Sequence, residues 1–182
     1  MEDISVYETA VMNAERSLVN AKNSLIDALK DAYTKAEDGV RNKADQALVN
    51  PRTTPQAGFI TANSQLVINI ENNRLVFEGL FSAWASALAA LKTNSDLNSA
   101  TALAQKNLNQ TKLYLDELAV AINDQNSYQK LSTGTGAIPT VWKTDVSTAR
   151  TNVNTALTAI TTAQTSLSTA EATLNTAQNQ LT

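Results

Sequence analysis

Histidine and cysteine are both absent from this chain of 182 residues. Their absence removes disulfides, thiolate zinc sites, thiol nucleophiles and imidazole general bases at once. Breakers are scarce as well: 5 Gly and 3 Pro, against average usage of about 7% and 5%. With so few turns available, the chain is expected to form a small number of long helices. No stretch reaches the roughly 18 apolar residues that a membrane span needs. The acidic, amphipathic start Met1-Glu2-Asp3-Ile4 does not read as a secretory leader. A strongly basic balance is missing too. The 14 Lys and Arg face 17 Asp and Glu, which speaks against a nucleic-acid binder and its basic face. The length fits one domain by the usual prior of about 100–200 residues, and it suffices for a core without staples. The last residues, Leu181-Thr182, fall in the middle of a repeating pattern, so the chain is expected to be an excised piece of something longer.

That pattern is the clearest feature present. Val146, Val153, Ile160, Leu167, Leu174 and Leu181 recur every seventh residue, and Ala149, Ala156, Ala163, Ala170 and Ala177 each follow three residues later. A seam of this kind, held for about five repeats, predicts a coiled coil. Alanine at every second seam position lets two backbones approach closely. The flanks are mostly Thr, Asn, Gln and Ser, and Thr is a mediocre helix former. The helix should therefore depend on a packing partner rather than on its own propensity.

A matching pattern lies at the other end. Ile4, Val11, Leu18, Leu25 and Ala32 are spaced by seven, with Tyr7, Ala14, Ala21 and Ala28 between them. The segments 3–49 and 141–181 contain no proline. At about 1.5 Å per residue they are rods of roughly 60–70 Å. The economical reading is one antiparallel hairpin, with Val11, Leu18, Leu25, Val153, Ile160, Leu167 and Leu174 as its seam.

The middle reads as a helical insert. Pro51 and Pro55 stop the first helix. Residues 50–70 read as a loop that holds a short extended segment or packs apolar side chains inward. Helices are expected over 71–92, with Phe77, Leu80, Phe81, Trp84, Leu88 and Leu91 on one face, and over 96–124, with Leu97, Ala104, Leu108, Leu115, Leu118 and Ile122 on one stripe and Asp96 as N-cap. Residues 125–140 read as a loop. Because the inner helices are shorter than the outer ones, the predicted fold is all-α: a single helical-hairpin domain over 1–182, with an antiparallel two-helix coiled-coil stalk formed by the terminal helices that widens into a four-helix bundle.

Chemistry-bearing motifs are sparse. Adjacent carboxylates, Glu37-Asp38 and Asp116-Glu117, point in different directions on a helix, whereas acid–base work needs a facing pair. No phosphate loop, dinucleotide fingerprint or nucleophile elbow is present. The Asn109-Gln110-Thr111 sequon falls mid-helix and reads as chance. No catalytic, cofactor-binding or metal-binding residue is expected, and neither is enzymatic activity. In the charged stretch 31–52 the seam weakens at Gly39, and Arg41, Lys43, Asp45 and Arg52 are placed to pair with polar groups of the insert.

The runs AEDGVRNKADQALVNPRTTP (36–55), NNRLVFEGLFSAW (72–84) and the return helix VSTARTNVNTALTAITTAQTSLSTAEATLNTAQNQL (146–181) together resemble the hairpin region of HlyD-type periplasmic adaptors, or membrane fusion proteins, in a form with a helical insertion. The likeness covers most of the chain but one module of that family; its lipoyl-like and β-barrel parts have no counterpart here. In ordinary adaptors a short turn occupies the hairpin tip, where residues 50–140 stand in this chain, so no tip motif is carried over. The resemblance implies a non-enzymatic spacer in an efflux or secretion assembly of the cell envelope, periplasmic or extracytoplasmic, as part of a membrane-anchored protein. Its partners would be other subunits of a transport assembly, namely a membrane transporter and neighbouring adaptor protomers. Neither nucleic acid nor direct insertion of this segment into a membrane is expected. A second reading is the extracellular four-helix ligand-sensing domain of a bacterial receptor, with Arg74, Phe77, Phe81 and Trp84 as its pocket and Arg74 as an anion clamp. A third is a structural surface coiled coil such as an adhesin stalk.

Overall fold

A computed structural model describes residues 4–181. The expected start of the first helix at residue 3 lies outside the described residues. Four α-helices dominate: α1 (Ile4–Asp38), α2 (Ser64–Ala89), α3 (Leu97–Asn123) and α4 (Thr140–Leu181). Five short strands lie between them: β1 (Leu48–Val49), β2 (Gln56–Ala57), β3 (Phe59–Ile60), β4 (Tyr128–Leu131) and β5 (Gly134–Ala137).

The long N-terminal helix packs on the C-terminal one. They run in opposite directions: Gly39, just past α1, lies against Ala149, Ser17 and Ala21 share a groove with Thr169 and Ala170, and Ala10 lies beside Thr176 and Ala177. Of the seam alanines, Ala14, Ala149, Ala156, Ala170 and Ala177 are buried, and Ala21, Ala28 and Ala163 are partly buried against the core. Burial of the larger seam residues falls toward the chain ends. Leu25, Val153 and Ile160 are fully enclosed and Leu167 nearly so, whereas Val11, Leu18 and Leu174 are half-buried and Ile4 is 66% exposed. The reason is coverage: α3 packs on both α1 and α4, α2 packs on α3 and α1, and the core they share spans Leu25–Ala57 and Val146–Leu167.

The first helix does not run unbroken to residue 49. After Asp38 it widens into a π-helical turn over Gly39–Lys43, tightens into a 3₁₀ turn over Ala44–Ala47, and passes into β1. A Cβ at Gly39 would stand 3.3 Å from the Ala149 Cβ. Glycine allows the close approach, and its weak helix propensity eases the change of pitch. Asn50 then takes a left-handed conformation, φ 50°, which Asn tolerates better than most residues. Its carbonyl accepts from the amides of Thr53 and Thr54. This turn folds β2 back on β1, pairing Leu48 with Ala57 and Val49 with Gln56.

The second helix starts at Ser64 rather than at 71. Leu66-Val67-Ile68-Asn69-Ile70 has the β-branched character of a strand, but helical spacing prevails. Ile70 falls on one buried stripe with Arg74, Phe77, Phe81, Trp84 and Leu88, and the Asn63 side chain caps the first turn by accepting from the Leu66 amide at 3.1 Å. Asp96 caps α3 in the same way, accepting from the Ser99 amide at 3.0 Å. The segment read as a loop over 125–140 holds a hairpin, and β3 joins it in a three-stranded antiparallel sheet in the order β3-β4-β5. Phe59 pairs with Gln129, Ile60 with Tyr128, and Tyr128 with Ala137.

Candidate functional site

The densest polar constellation forms where α1 changes pitch and meets α2. Arg74 is wholly buried, and its Nε and Nη2 donate to the two carboxylate oxygens of Asp45 at 2.6 and 2.8 Å. Nη2 also donates to Glu78, one turn along α2, at 2.8 Å. Glu78 accepts in turn from Arg41 Nη2. Arg41 donates to Glu37 as well, and the Tyr33 hydroxyl donates to Glu37 at 3.0 Å. The result is one chain of groups, Tyr33–Glu37–Arg41–Glu78–Arg74–Asp45, that ties the π and 3₁₀ turns to α2. Regular α-helical pitch through 39–47 would rotate Arg41 and Asp45 away from their present directions, because each added π turn shifts the face that follows.

Aromatic rings wall this chain of charges. The Arg41 guanidinium carbon sits 5.3 Å from the Phe81 ring centre, a cation–π arrangement. Tyr33 stands edge-on to Phe81 and Trp84, at 6.0 and 5.5 Å between centroids, and Phe77 lies 5.1 Å from Tyr114. Burial pushes the Tyr114 phenol well above its ordinary value, with the Asp45 charge adding to the effect. Burial also works against ionised Glu78, but hydrogen bonds from Arg41 and Arg74 outweigh it and hold the carboxyl below its ordinary value. Among the described residues, the Tyr114 hydroxyl and Arg74 Nη1 are buried without a hydrogen-bond partner.

Every member of this cluster is committed to another. Each of its carboxylates, Glu37, Glu78 and Asp45, accepts from a guanidinium. The other adjacent carboxylates diverge. Asp116 accepts from Lys112 and Arg150, both at 2.5 Å, and Glu117 accepts from Asn73 at 3.1 Å. Burial raises the Asp116 carboxyl, yet the two cations hold it below its usual value. Among the described residues no group of three or more acidic side chains could hold a metal ion.

The pocket expected at Arg74, Phe77, Phe81 and Trp84 is a packed core instead. The first three are 0% exposed and Trp84 is 1% exposed. Arg74 donates to Asp45 and Glu78 of its own chain. Of the residues expected at the seam, Leu25, Val153, Ile160 and Leu167 belong to the core and Leu18 packs against it, whereas Val11 and Leu174 are half-buried toward the chain ends. Of the four charges singled out between 31 and 52, Arg41 and Asp45 engage α2, Lys43 pairs locally with Asp38 at 3.5 Å, and Arg52 is exposed. Sequence reading missed Glu78 and Tyr114. The Arg74–Glu78 spacing of four was an available signal for the first.

One further surface stands out. Along α4, Thr148, Thr151, Thr155, Thr158, Thr161, Thr165, Thr169, Thr173 and Thr176 each donate their hydroxyl to the carbonyl four residues earlier. These exposed side chains satisfy their own donors. Glu171 is the one charged residue between Thr151 and Leu181.

No family model, curated protein or solved structure matches the chain. Among the described residues, no helix is long and apolar enough to cross a membrane.

Proposed function

We propose that this chain is a non-enzymatic adaptor module, the coiled-coil hairpin of a cell-envelope efflux or secretion adaptor of the HlyD type. In this reading α1 and α4 form a two-helix stalk toward residues 4 and 181, and α2 and α3 thicken its other end into a four-helix bundle. The module sits in the periplasm or an equivalent extracytoplasmic space and keeps a membrane transporter in register with outer components. Neighbouring protomers are its lateral partners.

The observation that carries this reading is the pairing of α1 with α4 through buried alanines, with large seam residues enclosed at one end and half-exposed at the other. A rod of about 42 residues in α4 is about 60 Å long at about 1.5 Å per residue, a reach suited to spacing rather than to enclosing a substrate. The sensor reading draws no comparable support, because its candidate pocket is filled by the protein's own side chains.

The test is site-specific photocrosslinking in the host cell, with the probe placed at Thr162 on the exposed face of α4 in the full-length protein. Adducts with a membrane transporter, an outer-envelope component or a second adaptor copy are expected. Adducts confined to cytosolic proteins would overturn the assignment. A thermal-shift screen with amino acids and organic acids addresses the sensor reading, since a tight ligand raises the melting temperature. No shift is expected.

A further inference from the structure

Among the described residues no strand pairs with the outer side of β5, so the three-stranded sheet ends in an open edge. Lys130 donates its amide to the Gly58 carbonyl at 2.8 Å, so the backbone groups of Tyr128 and Lys130 face β3. Those of Gln129 and Leu131 then face β5, where they meet Gly136 and Gly134. By the same alternation the amides and carbonyls of Thr135 and Ala137 point away from the sheet, and both residues are exposed. Two residues further on, Pro139 has no amide to offer. The free edge is therefore two residues long in hydrogen-bonding terms.

Proteins usually blunt such edges with a lysine, a proline or a bulge. The strand Gly134-Thr135-Gly136-Ala137 carries no charge and no proline, and glycine at 134 and 136 leaves the approach open. An edge of unpaired amides and carbonyls recognises an extended backbone. One antiparallel register satisfies it fully: Thr135 opposite Ala137 of a second copy, and Ala137 opposite Thr135, with the two Gly136 residues facing at the two-fold axis. Both outward residues of each copy then hydrogen-bond. Shifting the register by two residues in either direction leaves one of them without a partner or places it opposite Pro139.

Side chains agree with this pairing. Ile60, Tyr128 and Ala137 lie in one cross-strand row, Lys130 and Thr135 in the next. In the paired sheet each apolar row runs on into the partner's Thr135 and Lys130, so no two lysines face each other. Ile60 and Tyr128 are 45% and 49% exposed and would join one six-stranded surface.

We propose that β5 is a self-association edge, pairing antiparallel with β5 of a second copy of this chain about Gly136. The proposal does not depend on the adaptor reading. Because the protein has no cysteine, register can be read by disulfide formation. Thr135→Cys and Ala137→Cys proteins, mixed and oxidised, should give a crosslinked dimer faster than either does alone, since 135 opposes 137 across the axis. Sedimentation of the unmodified protein should show concentration-dependent dimer. Thr135→Pro removes one outward amide from each copy, two of the four backbone bonds, and should weaken dimerisation about tenfold or more. Circular dichroism checks that this variant stays folded, as a proline on an outward edge position allows. A monomer at all concentrations, equal crosslinking of mixed and single variants, or a dimer unchanged by Thr135→Pro would each overturn the proposal. A dimer that survives the proline would belong to another surface.

Discussion

Arg74 offers the sharpest test of how this fold is held. Its side chain is 0% exposed and that of Asp45 is 8% exposed, so solvent screens the pair little. Replacing Arg74 with Met keeps volume and helix propensity but leaves Asp45 buried with no counter-charge. Removing one partner of a buried pair costs about 3–5 kcal/mol. For a chain of this length each kcal/mol shifts the melting temperature by about 2–4 °C, so Arg74→Met should melt about 6–20 °C lower. Asp45→Asn alone should also destabilise, because the guanidinium loses its main acceptor. The double variant Asp45→Asn/Arg74→Met should be less damaged than the two singles summed, by about 1.5 kcal/mol or more, since residues in one network couple strongly. Urea melts followed by circular dichroism give all four free energies, provided the slopes agree among variants. Additive singles, or a loss below about 1 kcal/mol for Arg74→Met, would refute the view that Asp45 depends on this one cation.

Other expectations follow from burial and charge. Ile160→Ala, in the fully enclosed part of the seam, should cost about 2–5 kcal/mol, and Leu174→Ala near the open end should cost clearly less; equal losses in denaturant melts would contradict the burial gradient. Ala156→Leu, at a buried seam alanine, should destabilise by about 1–3 kcal/mol through overpacking, while Thr162→Lys on the exposed face should stay within about 0.5 kcal/mol. Glu78 is held below its unfolded value in the folded protein, so its contribution is fully present above about pH 4.5 and is lost as pH falls through the lower, folded value. Glu78→Gln should therefore flatten that part of an acid titration of stability, and a profile matching the unmodified protein would count against the Arg41–Glu78–Arg74 bridge.

The fold and the site were legible to different degrees. That the long N-terminal and C-terminal helices pack on each other was readable, because seven-residue spacing is a local property that survives whatever the helix packs against. The stripes of α2 and α3 were visible for the same reason, down to the Asp96 cap. The start of α2 was misread because β-branched residues at 67–70 carry a strand signal that only the buried position of Ile70 overrules. The hairpin at 128–137 left almost no trace. Tyr-Gln-Lys-Leu and Gly-Thr-Gly-Ala lack alternation, and β3 reaches them from far along the chain.

Sequence alone determined that this protein is built of long helices, that its ends share an alanine-lined pattern, and that thiol and imidazole chemistry are excluded. These follow from composition and periodicity, which act residue by residue. Tertiary structure decided where the first helix changes pitch and that Arg74 is a structural clamp. Asp45 and Arg74 lie 29 positions apart, and whether such charges meet in a dry core or face solvent depends on the approach of two helices that no local pattern encodes. The open edge of β5 is likewise a property of the assembled sheet, because an amide is free only when the fold has placed no strand beside it.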